Sequence, residues 1–300
     1  MRAVVTGGSG FVGKWLVAHL RECGDDAVSL DRSNGTPFDV TDRSCVAHSI
    51  EQFRPEVVYH LAAFTHVGES WNDPVQVLRV NVEGTLNVLD ACRQAAVDRV
   101  LVVGSAEEYG RVDAADLPLR EDAALRPSTP YGASKVAAGF LALQSFLGTG
   151  LATVRARPFN HTGPGQSARF VVPALAHRIV EAERSGRGEI TVGSLDPVRE
   201  MLDVRDVVRA YRVLATRGEP GEVYNVCSGR GVSIGEVAER LVALSGLPLR
   251  LVADPDLVRP VEVPRLVGDP ARISTTGWKP DHDVDSTLAA VLDAARSSAR

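Results

Sequence analysis

Three features are scarce in this sequence: cysteine, long apolar runs and excess positive charge. Its four cysteines are widely scattered and form no C-x-x-C pair, which argues against a disulfide framework and for reduced thiols. No apolar run approaches the roughly 20 residues that span a bilayer, and a strand predicted from residue 3 leaves no room for a signal peptide. The net charge of −5 argues against a general nucleic-acid or anionic-membrane surface. We therefore expect a cytoplasmic protein.

Short apolar runs alternate with helical patterns over the first half of the 300-residue chain. This alternation, up to about residue 157, predicts an α/β fold with a Rossmann-type doubly wound parallel sheet. Strands are predicted at residues 3–6, 27–30, 57–63, 99–103 and 153–156, and residues 38–40 are predicted to end a further strand. The organisation then changes. Residues 158–300 are predicted to form a smaller mixed α/β lobe, with some segments returning to the first domain.

The first predicted strand runs directly into a glycine-rich turn with the spacing G-x-x-G-x-x-G. Its glycines are Gly7, Gly10 and Gly13, and a helical pattern begins at Phe11 and Val12. Glycine permits a tight turn and a close approach of the backbone to a ligand, and a helix N-terminus offers free N–H groups to a pyrophosphate. This stretch predicts a dinucleotide-binding loop; the alternative is a β-α turn that binds nothing.

The second predicted strand ends in two adjacent residues of opposite charge, Asp31 and Arg32. An acid at this point accepts hydrogen bonds from an adenosine ribose, which favours NAD. An arginine beside it would pair with a 2′-phosphate, which favours NADP, although a solvated surface charge explains Arg32 equally well. Because the two indications oppose each other, the choice between NADP and NAD stays open.

Further candidate cofactor-binding residues follow. Asp39, with Val40 beside it, is placed to meet the adenine amine, unless it is only a capping residue. Three residues at the end of another predicted strand would let a cofactor lie close to the backbone: Leu61, Ala62 and Ala63. His60 precedes them without a cysteine or histidine at metal-ligand spacing, so we interpret it as a packed or hydrogen-bonded histidine and expect no metal.

Tyr131 and Lys135 lie four residues apart in a predicted helix and so share one of its faces. A lysine ammonium beside a phenol lowers the pKa of that phenol, and such a tyrosine can transfer a proton near neutral pH. Ser105 belongs to a polar cluster that follows the strand at residues 99–103, where α/β sheets bind ligands. The alternatives are a solvated helix face for the pair and a strand-end cap for the serine.

Five motifs in order along nearly the whole chain resemble the extended short-chain dehydrogenase/reductase family. They are residues 6–13 (TGGSGFVG), 60–63 (HLAA), 81–85 (NVEGT), 131–135 (YGASK) and 157–160 (RPFN). Within that family, further segments resemble the GDP-4-dehydro-6-deoxy-D-mannose reductases: residues 104–110 (GSAEEYG), 157–166 (RPFNHTGPGQ), 199–211 (REMLDVRDVVRAY), 223–229 (VYNVCSG) and 259–264 (RPVEVP). The resemblance implies reduction of the sugar's 4-keto group to GDP-D-rhamnose by hydride transfer from NAD(P)H.

The same resemblance implies a role for each catalytic candidate. Tyr131 would give a proton to the ketone oxygen, and Ser105 would hydrogen-bond that oxygen. Lys135 would hold the nicotinamide ribose and lower the pKa of Tyr131.

A nucleoside diphosphate calls for arginine, whose planar fork meets phosphate oxygens bidentately. Arg199 and Arg259 match family positions that hold the nucleotide diphosphate or its ribose, although a surface ion pair is the alternative for each. Asn160 would bind diphosphate or sugar, and Glu262 would accept from the nucleotide ribose or base. Glu107 is expected to orient the sugar hydroxyls or to pair with a nearby cation.

The resemblance also implies domain roles and a partner. Residues 1–157 would bind the dinucleotide, and residues 158–300 mainly the nucleotide sugar. Long helices predicted at residues 74–96 and 129–147 are those that this family commonly pairs across a two-fold axis, so we expect a homodimer.

Two other functions stay open. The first is another nucleotide-sugar 4-epimerase or 4,6-dehydratase with tightly bound NAD. Ala106 stands where Thr-Asp-Glu dehydratases carry their acid, although GDP-mannose dehydratases lack that acid as well and are generally longer chains. The second is a non-catalytic NAD(P)-sensing protein, against which the intact set of Ser105, Tyr131 and Lys135 argues.

Overall fold

The computed structural model describes residues 1–32, 38–257 and 263–299. The strands are β1 (Arg2–Thr6), β2 (Asp26–Leu30), β3 (Val57–His60), β4 (Arg99–Val103), β5 (Thr153–Pro158), β6 (His161–Thr162), β7 (Glu189–Val192), β8 (Val198–Glu200), β9 (Leu202–Asp203), β10 (Val223–Val226), β11 (Gly231–Ser233), β12 (Arg250–Ala253) and β13 (Arg265–Leu266). The helices are α1 (Phe11–Glu22), α2 (Arg43–Phe53), α3 (Pro74–Leu78), α4 (Gly84–Gln94), α5 (Pro130–Thr149), α6 (Val171–Ser185), α7 (Val204–Arg217), α8 (Ile234–Ser245), α9 (Ala271–Ser274) and α10 (Val284–Ser298). In the described part of the chain, no helix is long and apolar enough to cross a bilayer.

A parallel sheet forms the centre of the fold, and within the described residues its strand order is β10-β5-β4-β3-β1-β2. Its strands form from short runs of Val, Leu and Ala because both faces of a parallel sheet are covered. Val4, Val58 and Val100 lie in register and are each at most 1% exposed. Helices α1 and α7 pack together on one face, whereas α2, α4 and α5 cover the other. This is the predicted α/β fold class.

The prediction that residues 38–40 end a strand is wrong. Phe38 and Val40 are buried beside Leu30 and Ile50, but their backbone belongs to a loop, and the sheet is completed instead by β10. The apolar residues at 38–40 predict a strand, because side chains buried under a loop and side chains buried in a sheet give the same short apolar pattern. Asp42 begins α2 by accepting from the N–H groups of Ser44 and Cys45.

The second half of the chain contributes to two packing units. Helices α6, α8 and α10 pack around Leu175, Val237 and Leu288, next to small sheets with the orders β11-β8-β13 and β12-β7. Helix α7 packs on the central sheet instead, and strand β10 belongs to that sheet. The boundary at residue 157 stays a prediction.

The predicted long helix at residues 74–96 is a helical run that contains a π-helical segment, Arg79–Glu83, between α3 and α4. Asn81 in this segment is 1% exposed. Its side chain accepts from the Phe64 N–H at 2.7 Å and donates to Ser134 Oγ at 2.8 Å. The wider turn thus accompanies a buried polar contact between this run and α5, a setting in which π-segments are often found.

Candidate active site

The glycine-rich turn between β1 and α1 is tightly packed against the backbone around it. Gly7 has a φ of +73°, and a Cβ there would lie 2.9 Å from the Ala62 backbone. A Cβ on Gly13 would lie 2.2 Å from the Gly7 carbonyl oxygen. Gly10 precedes α1 and provides no side-chain cap, so the first N–H groups of α1 are left for a ligand. This cradle fits the pyrophosphate of a dinucleotide.

A cleft of about 600 Å³ opens at the carboxyl ends of β1 to β5, where α/β sheets bind their ligands. It is lined by every predicted cofactor-binding and catalytic residue: Gly7, Gly10, Phe11, Val12, Gly13, Asp31, Arg32, Asp39, Val40, Leu61, Ala62, Ala63, Ser105, Tyr131 and Lys135. Two predicted substrate-binding residues, Glu107 and Asn160, line it as well. The cleft therefore brings the end of the glycine-rich turn and the Tyr131 helix into one site.

Three predicted substrate-binding residues are not placed in this cleft. Arg199 lies in β8, where its Nη1 donates to the Val198 carbonyl oxygen at 2.9 Å, and it does not line the cleft formed by the described residues. Arg259 and Glu262 lie outside the described residues. The role of each stays a prediction.

The two charged residues at the end of β2 both line the cleft. Asp31 is 8% exposed, and its Oδ2 accepts from the Ser9 N–H at 3.0 Å and from Ser29 Oγ at 2.8 Å. The carboxylate is thus held against the glycine-rich turn, while Arg32 is exposed. Both a ribose acceptor and a phosphate-binding cation are present, so the choice between NAD and NADP stays open.

Asp39 has a second, local function. Its Oδ1 accepts from both the N–H and the hydroxyl of Thr41, and these hydrogen bonds lower the pKa of the Asp39 carboxyl below its ordinary value. The carboxylate therefore holds the turn before α2, as the alternative of a capping residue proposed, and it also lines the cleft.

Helix α5 places Tyr131 and Lys135 one turn apart, both almost fully buried. The helix begins here because Thr129 Oγ1 accepts from the Gly132 N–H at 3.0 Å and Pro130 occupies the first turn. Lys135 Nζ lies 6.0 Å from the centroid of the Tyr131 ring and donates to the Val103 carbonyl oxygen at 2.8 Å. The ammonium therefore lies at the end of β4, beside Ser105.

The expectation that Lys135 lowers the pKa of Tyr131 is wrong for this structure. Burial raises the pKa of the Tyr131 phenol well above its ordinary value, the carboxylates of Glu107 and Glu108 act in the same direction, and only a hydrogen bond with Ser105 opposes them. Burial also lowers the pKa of Lys135 to about 8. The sequence shows that Tyr131 and Lys135 share one face of a helix. It does not show that both are buried away from water, and this burial is the largest cause of both pKa shifts.

Ser105 is held in a short turn that follows β4. Its Oγ accepts from the Glu107 N–H at 3.2 Å, and its own N–H donates to Glu108 Oε1 at 2.9 Å. The serine is therefore the strand-end cap that the alternative interpretation proposed, and it is hydrogen-bonded to Tyr131 as well. Ala106 follows it in the wall of the cleft, so the position next to Ser105 has no proton to give.

His60 is a packed and hydrogen-bonded histidine, as the sequence indicated. Its Nδ1 lies 2.8 Å from Thr6 Oγ1 and its Nε2 3.0 Å from Thr85 Oγ1. Burial lowers the pKa of His60 to about 3, so the ring is neutral. Across the described ranges, no group of three His, Cys, Asp or Glu side chains is placed to hold a metal ion.

Sequence reasoning missed several residues of the cleft: Gln76, His161, Gln166, Phe170 and Tyr211. Three of them belong to the segment that follows β5, and the signal was present, because a Pro- and Gly-rich loop at the carboxyl end of a parallel strand is a usual ligand-binding element. Gln76 and Tyr211 come from α3 and α7, and no local pattern marks either.

The sequence pattern of the NAD dependent epimerase/dehydratase family matches residues 3–227. The chain belongs to this family. The predicted resemblance to the extended short-chain dehydrogenases/reductases is thereby confirmed, together with an NADP or NAD cofactor whose identity stays open.

Members of the epimerase/dehydratase family are similar to this chain over nearly its whole length. The GDP-6-deoxy-D-mannose reductase of Pseudomonas aeruginosa is 38% identical over 294 residues, which cover 97% of this chain and 96% of the relative. The UDP-glucose 4-epimerase of Streptomyces lividans is 31% identical over 319 residues, covering 97% and 94%. A solved structure of RMD from Pseudomonas aeruginosa complexed with NADPH has a TM-score of 0.91 at 36% identity and covers 99% of this chain and 100% of its own.

Proposed function

We propose that this protein reduces the 4-keto group of GDP-4-dehydro-6-deoxy-D-mannose to GDP-D-rhamnose by hydride transfer from NAD(P)H. One observation carries the proposal. The chain is 38% identical to GDP-6-deoxy-D-mannose reductase, and Ser105, Tyr131 and Lys135 line the same cleft as its glycine-rich turn. A binding protein without catalysis has no need of a proton donor at that position.

The side chains of the cleft would stabilise the charge that develops on the ketone oxygen. Gly7, Gly10 and Gly13 would hold the pyrophosphate of a reduced nicotinamide cofactor, which would supply the hydride for C4 of the sugar. Tyr131, whose phenol burial keeps protonated, would give its proton to the oxygen, and Ser105 would hydrogen-bond the same atom. Lys135 would hold the nicotinamide ribose from the end of β4, where its Nζ now donates to Val103.

Ala106 weighs against a dehydratase of the Thr-Asp-Glu type. Loss of water from the sugar needs an acid for the departing hydroxyl, and the residue after Ser105 in the cleft wall is an alanine. Glu107 remains in the cleft, and we propose that it orients sugar hydroxyls together with Asn160. We further propose that the lobe at residues 158–300 binds the nucleotide, through Arg199, Arg259 and Glu262.

Oxidation of NADPH and of NADH with GDP-4-dehydro-6-deoxy-D-mannose, prepared in situ, tests this proposal. Fast oxidation with GDP-rhamnose as the identified product supports it and chooses the cofactor. No oxidation, with NAD retained through purification, would overturn the reductase assignment in favour of an epimerase or dehydratase. The control is UDP-glucose with the same preparation, since conversion to UDP-galactose would report the activity of the Streptomyces lividans relative.

We propose that the protein is a homodimer that pairs through α3, α4 and α5. Leu78, Leu86, Phe140 and Leu147 on these helices are 46–73% exposed, and an apolar surface of this kind on neighbouring helices commonly marks an interface. Phe140→Asp is expected to shift the protein from dimer to monomer in sedimentation at micromolar concentration. Leu244→Asp on α8, also an exposed leucine, is the matched control and should leave the dimer intact. A monomeric wild type would contradict the proposal.

We also propose a cytoplasmic location. Its support is the scatter of Cys23, Cys45, Cys92 and Cys227, all of which are free thiols in the structure.

A further inference from the structure

Glu108 is a buried carboxylate that the proposed reaction does not use. It is 2% exposed. One oxygen, Oε1, accepts from the Ser105 N–H at 2.9 Å, and the other, Oε2, accepts from Arg157 Nε at 2.7 Å. A buried charge is costly unless it is paired and hydrogen-bonded, and both oxygens of Glu108 meet this requirement. The same carboxylate thus joins the backbone of a catalytic candidate to a buried guanidinium.

Gly104 makes room for this carboxylate, and Gly139 lies on the side of its other oxygen. A Cβ on Gly104 would lie 2.1 Å from Glu108 Oε1, and a Cβ on Gly139 would lie 3.8 Å from Oε2. Gly104 lies between the end of β4 and Ser105, and Gly139 lies one turn after Lys135 in α5. The Glu108 side chain therefore folds back between the end of the strand and the catalytic helix, in a space that an alanine at position 104 would close.

Glu108 also faces the cations of the site. Arg157 is 5% exposed, and its Nη1 donates to Tyr109 Oη at 3.2 Å and to the Glu121 carbonyl oxygen at 3.0 Å. Arg155, in the same strand β5, interacts with Glu108 as well. Burial raises the pKa of Glu108, but the guanidinium of Arg157 opposes this. Since an arginine stays charged in a protein, its direct contact with Glu108 favours the ionised form of the carboxylate.

Lys135 donates to the Val103 carbonyl of β4 and lies near the Tyr131 ring of its own helix, and it interacts electrostatically with Glu108 from the turn after β4 and with His60 from β3. His60 is neutral, and the Tyr131 phenol is protonated. Among these groups Glu108 alone carries a negative charge. Its carboxylate favours the charged form of Lys135 against the effect of burial.

We propose that Glu108 is a positioning residue of this site, which fixes the turn that carries Ser105 and supplies the negative charge that holds Lys135 as an ammonium. The inference rests on the proposed reductase function and deepens it. Ser105 is held in the cleft through its N–H, and Lys135 is held through its charge, both by one carboxylate.

Glu108→Gln removes the charge and leaves one acceptor oxygen, which can accept from the Ser105 N–H or from Arg157 Nε but not from both, so the pH profile rather than kcat reports the charge. The alkaline limb of the kcat/KM profile for sugar reduction is expected to move to lower pH by about one unit, the shift that one neighbouring charge produces. Glu108→Asp keeps the negative charge but has a shorter side chain. The alkaline limb of its kcat/KM profile should therefore stay at the wild-type pH, while kcat falls roughly tenfold. Glu200→Gln is the matched control, a fully buried carboxylate that accepts from Gly268 N–H and Ser228 Oγ; it should not move the limb.

An unmoved limb in Glu108→Gln overturns the electrostatic role, and wild-type kcat in Glu108→Asp overturns the positioning role. If Glu108→Gln does not fold, Gly104→Ala tests the same contact by displacing the carboxylate, and wild-type kcat with an unmoved limb would contradict the proposal. Binding of NADPH, followed by its fluorescence between pH 6 and 10, gives a readout without sugar. If the wild type binds NADPH but reduces no GDP-sugar, the proposed function fails, while the pH dependence of binding still tests Glu108.

Discussion

Replacing Tyr131 by phenylalanine removes one oxygen atom from the cleft and leaves the ring in place. The ring is 8% exposed and lies in the first turn of α5, so a phenylalanine fills the same space. The change removes the interaction of the phenol oxygen with Ser105. Its loss should cost about 1 kcal/mol of unfolding free energy. The variant is therefore expected to fold.

The effect on the reaction should be far larger. A positioned general acid contributes roughly a hundredfold to ten-thousandfold in rate, which corresponds to about 3–5 kcal/mol of transition-state stabilisation. We expect kcat of Tyr131→Phe to fall by that factor. The affinity for NADPH should change little, because the glycine-rich turn and Asp31 are untouched.

The assay is the oxidation of NADPH with GDP-4-dehydro-6-deoxy-D-mannose under saturating conditions, alongside thermal unfolding of the same samples. Tyr59→Phe is the matched control. Tyr59 is fully buried in β3, it does not line the cleft, and its hydroxyl has no hydrogen-bond partner in the described part of the chain. It should keep wild-type kcat. A Tyr131→Phe enzyme within threefold of wild-type kcat would refute Tyr131 as the proton donor.

Three further changes test other parts of the structure. Burial lowers the pKa of Lys135 to about 8, so the lysine is charged below that pH and neutral above it. We therefore expect kcat/KM to stay constant below about pH 8 and to fall above it. A flat profile up to about pH 10 would contradict this. Gly13→Ala would place a Cβ 2.2 Å from the Gly7 carbonyl oxygen, so the turn must shift and NADPH affinity, measured by fluorescence titration, should fall at least about tenfold; unchanged affinity would exclude this turn as the binding site. Leu101→Ala removes a fully buried side chain from β4 and should lower the unfolding free energy in urea by about 2–5 kcal/mol, whereas a loss below 1 kcal/mol would contradict its place in the core.

Local features of the site could be predicted because they depend on neighbours in the sequence. The strand Arg99–Val103 has the bounds that its apolar run indicated. The glycine-rich turn and the Tyr131 and Lys135 pair were found in the same way, since a β-α turn and a helical repeat are fixed within a few residues.

Features that depend on distant segments could not be predicted. The apolar residues at 38–40 resembled a strand, whereas the strand that completes the sheet, β10, lies almost 70 residues after β5 in sequence and pairs with it only in the fold. The role predicted for Arg199 rests on a sequence motif alone, whereas the position of strand β8 in the fold decides which groups its side chain can contact. The pKa of Tyr131 depends on desolvation, which spacing along a helix does not reveal.

The protonation of Tyr131 connects burial to the direction of the reaction. Ketone reduction takes a proton from this position, whereas epimerisation and 4,6-dehydration begin with the oxidation of a sugar hydroxyl and need a phenolate to accept its proton. A site that keeps the phenol protonated, through burial and the carboxylates of Glu107 and Glu108, suits the reductive direction. An oxidised nicotinamide ring is cationic and a reduced one is neutral, and a nearby cation lowers the pKa of a phenol. The phenol of Tyr131 can therefore act as an acid beside a reduced cofactor and as a base beside an oxidised one.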